Sequence, residues 1–97
     1  MGVTHVTPAG GNVFADLGFP EPESESLKIR STLMIAIHRT IDERGLTKKD
    51  AARLFGVPQP RITALRRGAV ASFTIDELVG MLAHAHIHVG VSVSSAA

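Results

Sequence analysis

Residues 46–68 read LTKKDAARLFGVPQPRITALRRG and predict two short helices joined by a tight turn. The first helix covers residues 48–55 and stops at Gly56, because glycine readily takes the left-handed conformation that ends many helices. Residues 58–60, Pro-Gln-Pro, open the second helix, where proline is tolerated because the first N–H groups of a helix have no acceptor. Gly68 ends this second helix. Apolar side chains at helical spacing predict the inner faces of the pair: Ala51, Ala52, Leu54, Phe55, Ile62 and Leu65.

Further helices are predicted on both sides of this motif. A long helix begins around residues 21–26, where acidic residues suit the positive end of the helix dipole, and stops at Gly45. Thr47 and Thr74 are good N-caps, since their hydroxyl groups can accept from a free backbone N–H. Apolar residues at three- and four-residue spacing predict the buried face of the long helix: Leu27, Leu33, Met34, Ile37 and Ile41. The expected fold is mainly α, a bundle of four to five helices.

The C-terminal part of the chain changes to a period of two. Ile87, Val89, Val91 and Val93 alternate with polar or small residues, which predicts a strand with one apolar face. A single strand cannot satisfy its own backbone groups. It must therefore pair either with an extended piece of the N-terminal arm at residues 3–6 or with the same strand of a second subunit. We expect this strand to serve dimerisation.

Charge is distributed unevenly along the chain, although ten basic and nine acidic residues leave a net charge of only +1. Residues 1–27 contain four acidic and no basic residues, while residues 28–67 contain all ten basic residues and three acidic ones, a net charge of +7. This asymmetry favours a polyanion as the partner of the central segment and a different partner for the acidic head. The alternative is a solvated helical face with counter-charges nearby.

The 46–68 motif has the pattern of a helix-turn-helix, whose second helix lies in the DNA major groove. That groove is about 12 Å wide and admits one helix, whose outward side chains reach base edges while flanking cations contact phosphates. The residues predicted to contact bases are Gln59, Pro60, Thr63 and Ala64. The residues predicted to contact phosphates are Thr47, Lys48, Lys49, Arg61, Arg66 and Arg67. The alternative for each of these residues is a solvent-exposed side chain that makes no contact with DNA.

A resemblance to a known family supports this interpretation. The stretch NVFADLGFPEPE at residues 12–23, followed by a long helix and the 46–68 motif, resembles the phage-repressor-like (XRE) family and, more narrowly, HigA-type antitoxins and their stand-alone relatives. The resemblance covers about residues 12–90 and implies a dimeric helical repressor of its own operon, often beside a toxin that cleaves RNA. It places Gln59 at the first base-reading position, Thr63 and Ala64 at later ones and Lys48 at a backbone contact. Pro60 departs from the polar residue often found there, which leaves an apolar contact with a thymine methyl.

The chain is accordingly divided into four parts. These are a flexible arm at residues 1–11, a helical DNA-binding domain at 12–85 with its helix-turn-helix at 47–67, a dimerising strand at 86–93 and a tail at 94–97. The acidic head suggests a second possibility, a protein-interaction surface that docks a basic partner such as a cognate toxin.

Other chemistry has little support in the sequence. The chain has no cysteine, and no apolar run approaches the 18 residues of a membrane span. His84, His86 and His88 invite a metal site, but no acidic or thiolate ligand lies close in sequence, so surface or interface histidines are the expectation. No HExxH or strand-turn nucleophile is present. We therefore expect no enzyme, no cofactor, no metal and a cytoplasmic location.

Overall fold

The computed structural model describes residues 17, 18 and 20–95 and, as backbone only, residues 3–5. Four α-helices in this part of the chain confirm the expected mainly helical bundle. In chain order the elements are β1 (Val3–His5), α1 (Glu21–Arg44), α2 (Lys48–Phe55), α3 (Gln59–Arg66), a 3-10 turn (Val70–Ser72), α4 (Ile75–His84) and β2 (His88–Gly90). No helix in the described residues is both long enough and apolar enough to cross a bilayer.

The predicted helix ends are confirmed by their capping geometry. Thr47 Oγ1 accepts from the backbone N–H of Asp50 at 3.1 Å. Thr74 forms a reciprocal capping box with Glu77, in which each side chain bonds the other residue's backbone N–H. Gly45 ends α1 in the left-handed conformation, with φ 58°. These short-range signals mark the end of α1, the start of α2 and the start of α4 at the predicted positions.

The core lies between α1, which packs mainly against α4 and less extensively against α3, and α2, which packs against α3 and α4. The predicted buried face of α1 is confirmed, as are Ile62 and Leu65 of α3, which are almost inaccessible to solvent. Phe73, in the connector between α3 and α4, is 1% exposed and completes this core. The long helix thus supports both α4 and α3.

The C-terminal strand is shorter than predicted, and its pairing lies within the chain. Only His88–Gly90 is in β2, which pairs in parallel with Val3–His5. Ile87 cannot join the strand because its N–H bonds the carbonyl of Leu82 at 2.9 Å, as part of the turn that closes α4. Val91 and Val93 lie beyond β2 and are 83% and 91% exposed.

Part of the N-terminal prediction lies outside the described residues. A short helical turn from Asn12 to Gly18 is expected, of which the structure describes only residues 17 and 18, in a turn with Gly18 at φ 91°. Residues 1–2, 6–16, 19 and 96–97 are not described, and they include most of the predicted arm.

Candidate nucleic-acid interface

The turn between α2 and α3 is tight, and His84 of α4 packs against it. Gly56 has φ 67°, and a Cβ at this position would come within 2.7 Å of the imidazole ring of His84. His84 Nδ1 also donates to the carbonyl of Leu54 at 2.9 Å. Only glycine therefore fits the turn, for conformational and steric reasons together. His84 thus has a structural partner, and no group of three His, Cys, Asp or Glu suited to a metal occurs among the described residues.

The four predicted base-contacting residues lie on one face of α3. With about 100° of rotation per residue, Gln59, Pro60, Thr63 and Ala64 span one side of the helix, and the buried Ile62 and Leu65 lie on the other. Gln59 and Pro60 are exposed, whereas Thr63 and Ala64 are half-buried. The hydroxyl of Thr63 donates to the carbonyl of Gln59 at 3.4 Å. The structure therefore brings these four side chains onto one outward surface.

Exposed cations flank this face at two points. Lys48 and Lys49 occupy the first turn of α2, directly after the exposed cap Thr47, and Arg67 follows the end of α3. None of these three cations takes part in an ion pair within the described part of the chain. Lys48 and Lys49 lie at the positive end of the α2 dipole, where a cation is locally unfavourable. Their placement is easier to understand if a phosphate binds opposite them.

Arg66 is engaged by two residues of α1. Its Nη2 donates to Asp42 Oδ1 at 2.7 Å, and its Nη1 lies 3.0 Å from His38 Nδ1. Since a guanidinium can only donate, the imidazole nitrogen is the acceptor. Partial burial, followed by the neighbouring charge of Arg66, lowers the pKa of His38 from its ordinary value of 6.5. The ion pair between Arg66 and Asp42 is largely solvated, since their side chains are 39% and 65% exposed.

Arg61 is engaged more completely than Arg66. Its Nη2 donates to Glu77 Oε2 at 2.6 Å and to the carbonyl of Ser72 at 2.8 Å. The guanidinium carbon lies 4.0 Å from the centroid of the Phe73 ring. The predicted phosphate contact of Arg61 stays a prediction, and the structure adds partners that the sequence reasoning missed. No short-range pattern links residues 61, 73 and 77, although the Thr74 cap correctly placed Glu77 in the first turn of α4.

The predicted dimer residues fall into two environments. Ile87 and Val89 are half-buried and pack against the core. Val91 and Val93 are exposed and line a surface groove with Ile29 of α1 and Val79 of α4. The alternating pattern therefore spans a segment that belongs partly to the core and partly to the surface.

A comparison with known families bears directly on this arrangement. The model of a family described as a helix-turn-helix domain matches residues 13–94. The chain belongs to that family. No curated protein and no solved structure matches the chain. In the helix-turn-helix domain the second helix of the motif enters the DNA major groove, and that helix is α3 here. The family thus indicates a DNA-binding regulator.

Proposed function

We propose that this helix-turn-helix protein is a sequence-specific transcriptional repressor that binds its operator as a homodimer. The observation that carries the proposal is the outward face of α3, which is flanked by cations without ion-pair partners among the described residues. Such a face matches what the major groove requires, short polar or small side chains in the centre and positive charge at the rim. A regulator of this kind would act in the cytoplasm.

The roles of the residues follow from their positions. Gln59, exposed at the start of α3, reads a base edge through its amide, for which adenine is the usual partner. Pro60 offers an apolar contact, and Ala64 lets the helix approach closely. Thr63 supplies a hydroxyl that donates or accepts. The phosphate contacts are assigned to Thr47, Lys48, Lys49, Arg66 and Arg67.

Salt-dependent binding to the DNA upstream of the chain's own reading frame tests this proposal. Each phosphate contact adds about 0.9 to the negative slope of log K against log salt. Lys48→Ala should reduce that slope by about this amount and weaken all sequences alike, whereas Gln59→Ala should change base preference and leave the slope unchanged.

Arg53→Ala is the matched control for these two variants. Arg53 is an exposed cation in the last turn of α2 and is not assigned to the interface, and its loss changes the net charge as the loss of Lys48 does. Wild-type binding that shows no preference for the upstream fragment over a scrambled one would contradict the proposal. A slope change in Arg53→Ala as large as that in Lys48→Ala would show that the DNA is held by general charge alone.

The homodimer is assigned to the exposed end of the C-terminal segment. Val91 and Val93 lie next to Val79 and Ile29 in one surface groove, and apolar patches of this kind often mark protein contacts. Replacement of both valines by serine should convert a dimer into a monomer in sedimentation equilibrium and weaken operator binding. Because Ile87, Val89 and the β1–β2 pairing are left unchanged, the variant keeps the contacts that close the fold. A doubly substituted chain that stays dimeric would reject this assignment.

An antitoxin role is the finer form of the proposal, and the acidic start of α1 supports it. Glu21 and Glu23 are exposed in the first turn. This 24-residue helix is about 36 Å long, and its opposite end carries Asp42 beside Arg66. A basic toxin could therefore dock on the head while α3 is bound to DNA. A stand-alone regulator without a toxin is the alternative.

The reading frame next to this chain discriminates between these two roles. A small basic product that co-purifies with the wild type, but not with Glu21→Lys/Glu23→Lys, would support the antitoxin. If the product co-purifies equally well with that variant, its contact does not involve Glu21 and Glu23. A neighbouring product that does not co-purify with the wild type would favour the role of a stand-alone regulator.

A further inference from the structure

The helix α3 is held by an arginine at each of its two edges. Arg61 and Arg66 leave the helix on opposite sides of the buried stripe formed by Ile62 and Leu65. The α4 edge consists of Arg61 with Glu77, Ser72 and Phe73. The α1 edge consists of Arg66 with Asp42 and His38. Both edges flank the outward face on which Gln59 and Thr63 lie.

The α4 edge is built around a single guanidinium with three kinds of partner. A carboxylate, a backbone carbonyl and an aromatic face all contact Arg61, and the ring beneath it is 1% exposed. A charge-assisted hydrogen bond of 2.6 Å is short for a nitrogen donor, as expected for a guanidinium bound to a carboxylate. Both N–H groups of Nη2 are engaged in these hydrogen bonds, so a phosphate contact through this nitrogen would require Arg61 to leave Glu77 or Ser72.

The surface that receives Arg61 is itself fixed by a second arginine. Arg30 of α1 donates through Nη1 to the carbonyls of Val70 and Phe73, at 3.3 and 3.1 Å. Two arginines from different helices therefore bind the backbone of the same connector, Arg61 at Ser72 and Arg30 on either side of it. The connector serves as a rigid support rather than as a loose loop.

Glu77 links this support to α4. Its Oε1 accepts from the backbone N–H of Thr74 at 3.3 Å and completes the capping box, while its Oε2 accepts from Arg61. One carboxylate thereby ties the first turn of α4 to the first turn of α3. A rotation of α3 about its axis would therefore be opposed by this contact as well as by the apolar packing of Ile62 and Leu65.

We propose that Arg61 is a positioning residue, which sets the rotation of the recognition helix through Glu77, and not a phosphate contact. The inference rests on the proposed function, since it concerns how the same helix presents Gln59 and Thr63 to DNA. The positioning role predicts a change in DNA affinity opposite to the one expected from charge alone. Removal of the acidic charge of Glu77 would strengthen DNA binding if only electrostatics mattered, yet the positioning role requires that it weaken specific binding.

The test uses the full chain with two duplexes of equal length, one from the region upstream of its own reading frame and one of random sequence. Affinities are measured from about 50 to 200 mM salt, the range over which counterion release is large. The variants are Arg61→Met, which keeps the aliphatic stem over Phe73, Glu77→Gln, which keeps an oxygen for Thr74, and the double variant. Arg67→Met is the control for a phosphate contact.

Arg61→Met and Glu77→Gln should each weaken binding to the upstream duplex about tenfold, the loss expected when one good base contact is misplaced. Both should leave the salt slope and the binding of the random duplex unchanged, and the double variant should be no weaker than the worse single one. Arg67→Met should instead lower the slope by about 0.9 and weaken both duplexes alike.

Three results would overturn the positioning role: a slope reduction in Arg61→Met equal to that of Arg67→Met, tighter binding by Glu77→Gln, or additive losses in the double variant. These outcomes all require a wild type that prefers the upstream duplex. A wild type with no such preference refutes the proposed function itself, so the two failures are distinguishable. Circular dichroism of each variant, compared with the wild type, separates misplacement from unfolding.

Discussion

The α4 edge and the α1 edge of the recognition helix are each closed by an arginine and a carboxylate, yet their surroundings differ. At the α4 edge the side chains of Arg61 and Glu77 are 29% and 38% exposed and lie over a buried ring, whereas at the α1 edge Asp42 is 65% exposed. Desolvation strengthens a charge contact, and solvent screens it. Two similar ion pairs therefore serve different purposes. The α4 edge holds the helix, and the α1 edge leaves Arg66 able to exchange a solvated partner for a phosphate.

The largest expected difference between the edges concerns the ring at the α4 edge. Phe73→Ala should lower the free energy of unfolding by about 3–5 kcal/mol, the usual cost of truncating a buried phenylalanine. His38→Ala, the corresponding truncation at the α1 edge, should cost less than about 1 kcal/mol because the His38 side chain is only partly buried. Urea denaturation measures both values.

Phe73→Leu keeps the comparison open if Phe73→Ala does not fold. It retains most of the apolar volume, and its cost should be about 1 kcal/mol, with part of that loss arising from the missing cation–π contact to Arg61. A Phe73→Leu protein as stable as the wild type would contradict the role of the ring at the α4 edge.

A smaller effect is expected from the carboxylate at the α4 edge. Glu77→Ala removes half of a capping box and the partner of Arg61, which together should cost about 1–1.5 kcal/mol. Thr74→Ala removes the other half of the capping box without touching Arg61 and serves as the control. Thermal unfolding of both variants provides the comparison, and a Glu77→Ala protein as stable as the wild type would refute the role of Glu77.

The α1 edge should respond to pH, with an effect smaller than those above because the His38 ring lies close to solvent. The pKa of His38 is lowered in the folded protein by partial burial and by Arg66, so protons bind the unfolded chain more readily. The contribution of His38 to the free energy of unfolding should therefore be constant above the ordinary pKa of 6.5 and should decline as the pH falls below it. His38→Gln, whose amide oxygen can still accept from Arg66, should remove this contribution.

Urea midpoints between pH 5 and 8, a range around the pKa of histidine, measure the effect. The difference between the wild type and His38→Gln isolates His38 from the other histidines. Identical pH profiles of the two proteins would show that the Arg66–His38 contact does not depend on protonation.

The smallest effect is expected from the carboxylate at the α1 edge. Asp42→Ala should cost about 0–0.5 kcal/mol, as is usual for an exposed ion pair, and added salt should abolish the loss. Since the variant also releases Arg66 from an acidic neighbour, DNA binding should become slightly tighter. A loss of stability that persists in high salt would mean that the two edges are more alike than their exposure suggests.

Much of the fold follows from short-range signals in the sequence. Thr47, Gly45 and Thr74 mark helix ends by local hydrogen bonding or backbone conformation, and these operate over three or four residues. The inner faces of α1 and α3 follow from apolar spacing for the same reason. The outward placement of Gln59 then comes directly from the position of the buried Ile62 and Leu65.

The features that could not be predicted depend on contacts between distant parts of the chain. Nothing local shows that Arg61 meets Glu77 or that Arg30 reaches the carbonyl of Phe73, 43 residues away. The apolar alternation predicts a strand up to residue 93, whereas β2 ends at Gly90, because alternation alone does not show which residues have a pairing partner. His86 closes α4 in the left-handed conformation, with φ 62°, at a position where glycine would have been the recognisable signal.

Amide chemical-shift mapping shows whether the outward face of α3 is the surface bound to DNA. The 15N-labelled protein is titrated with the upstream duplex and, separately, with the random duplex. We expect the upstream duplex to shift the amides of the first turn of α2 and of residues 59–68, and to leave the first turn of α1 near Glu21 unchanged. Shifts confined to the acidic start of α1 or to the groove at Val91, with α3 unaffected, would contradict the account.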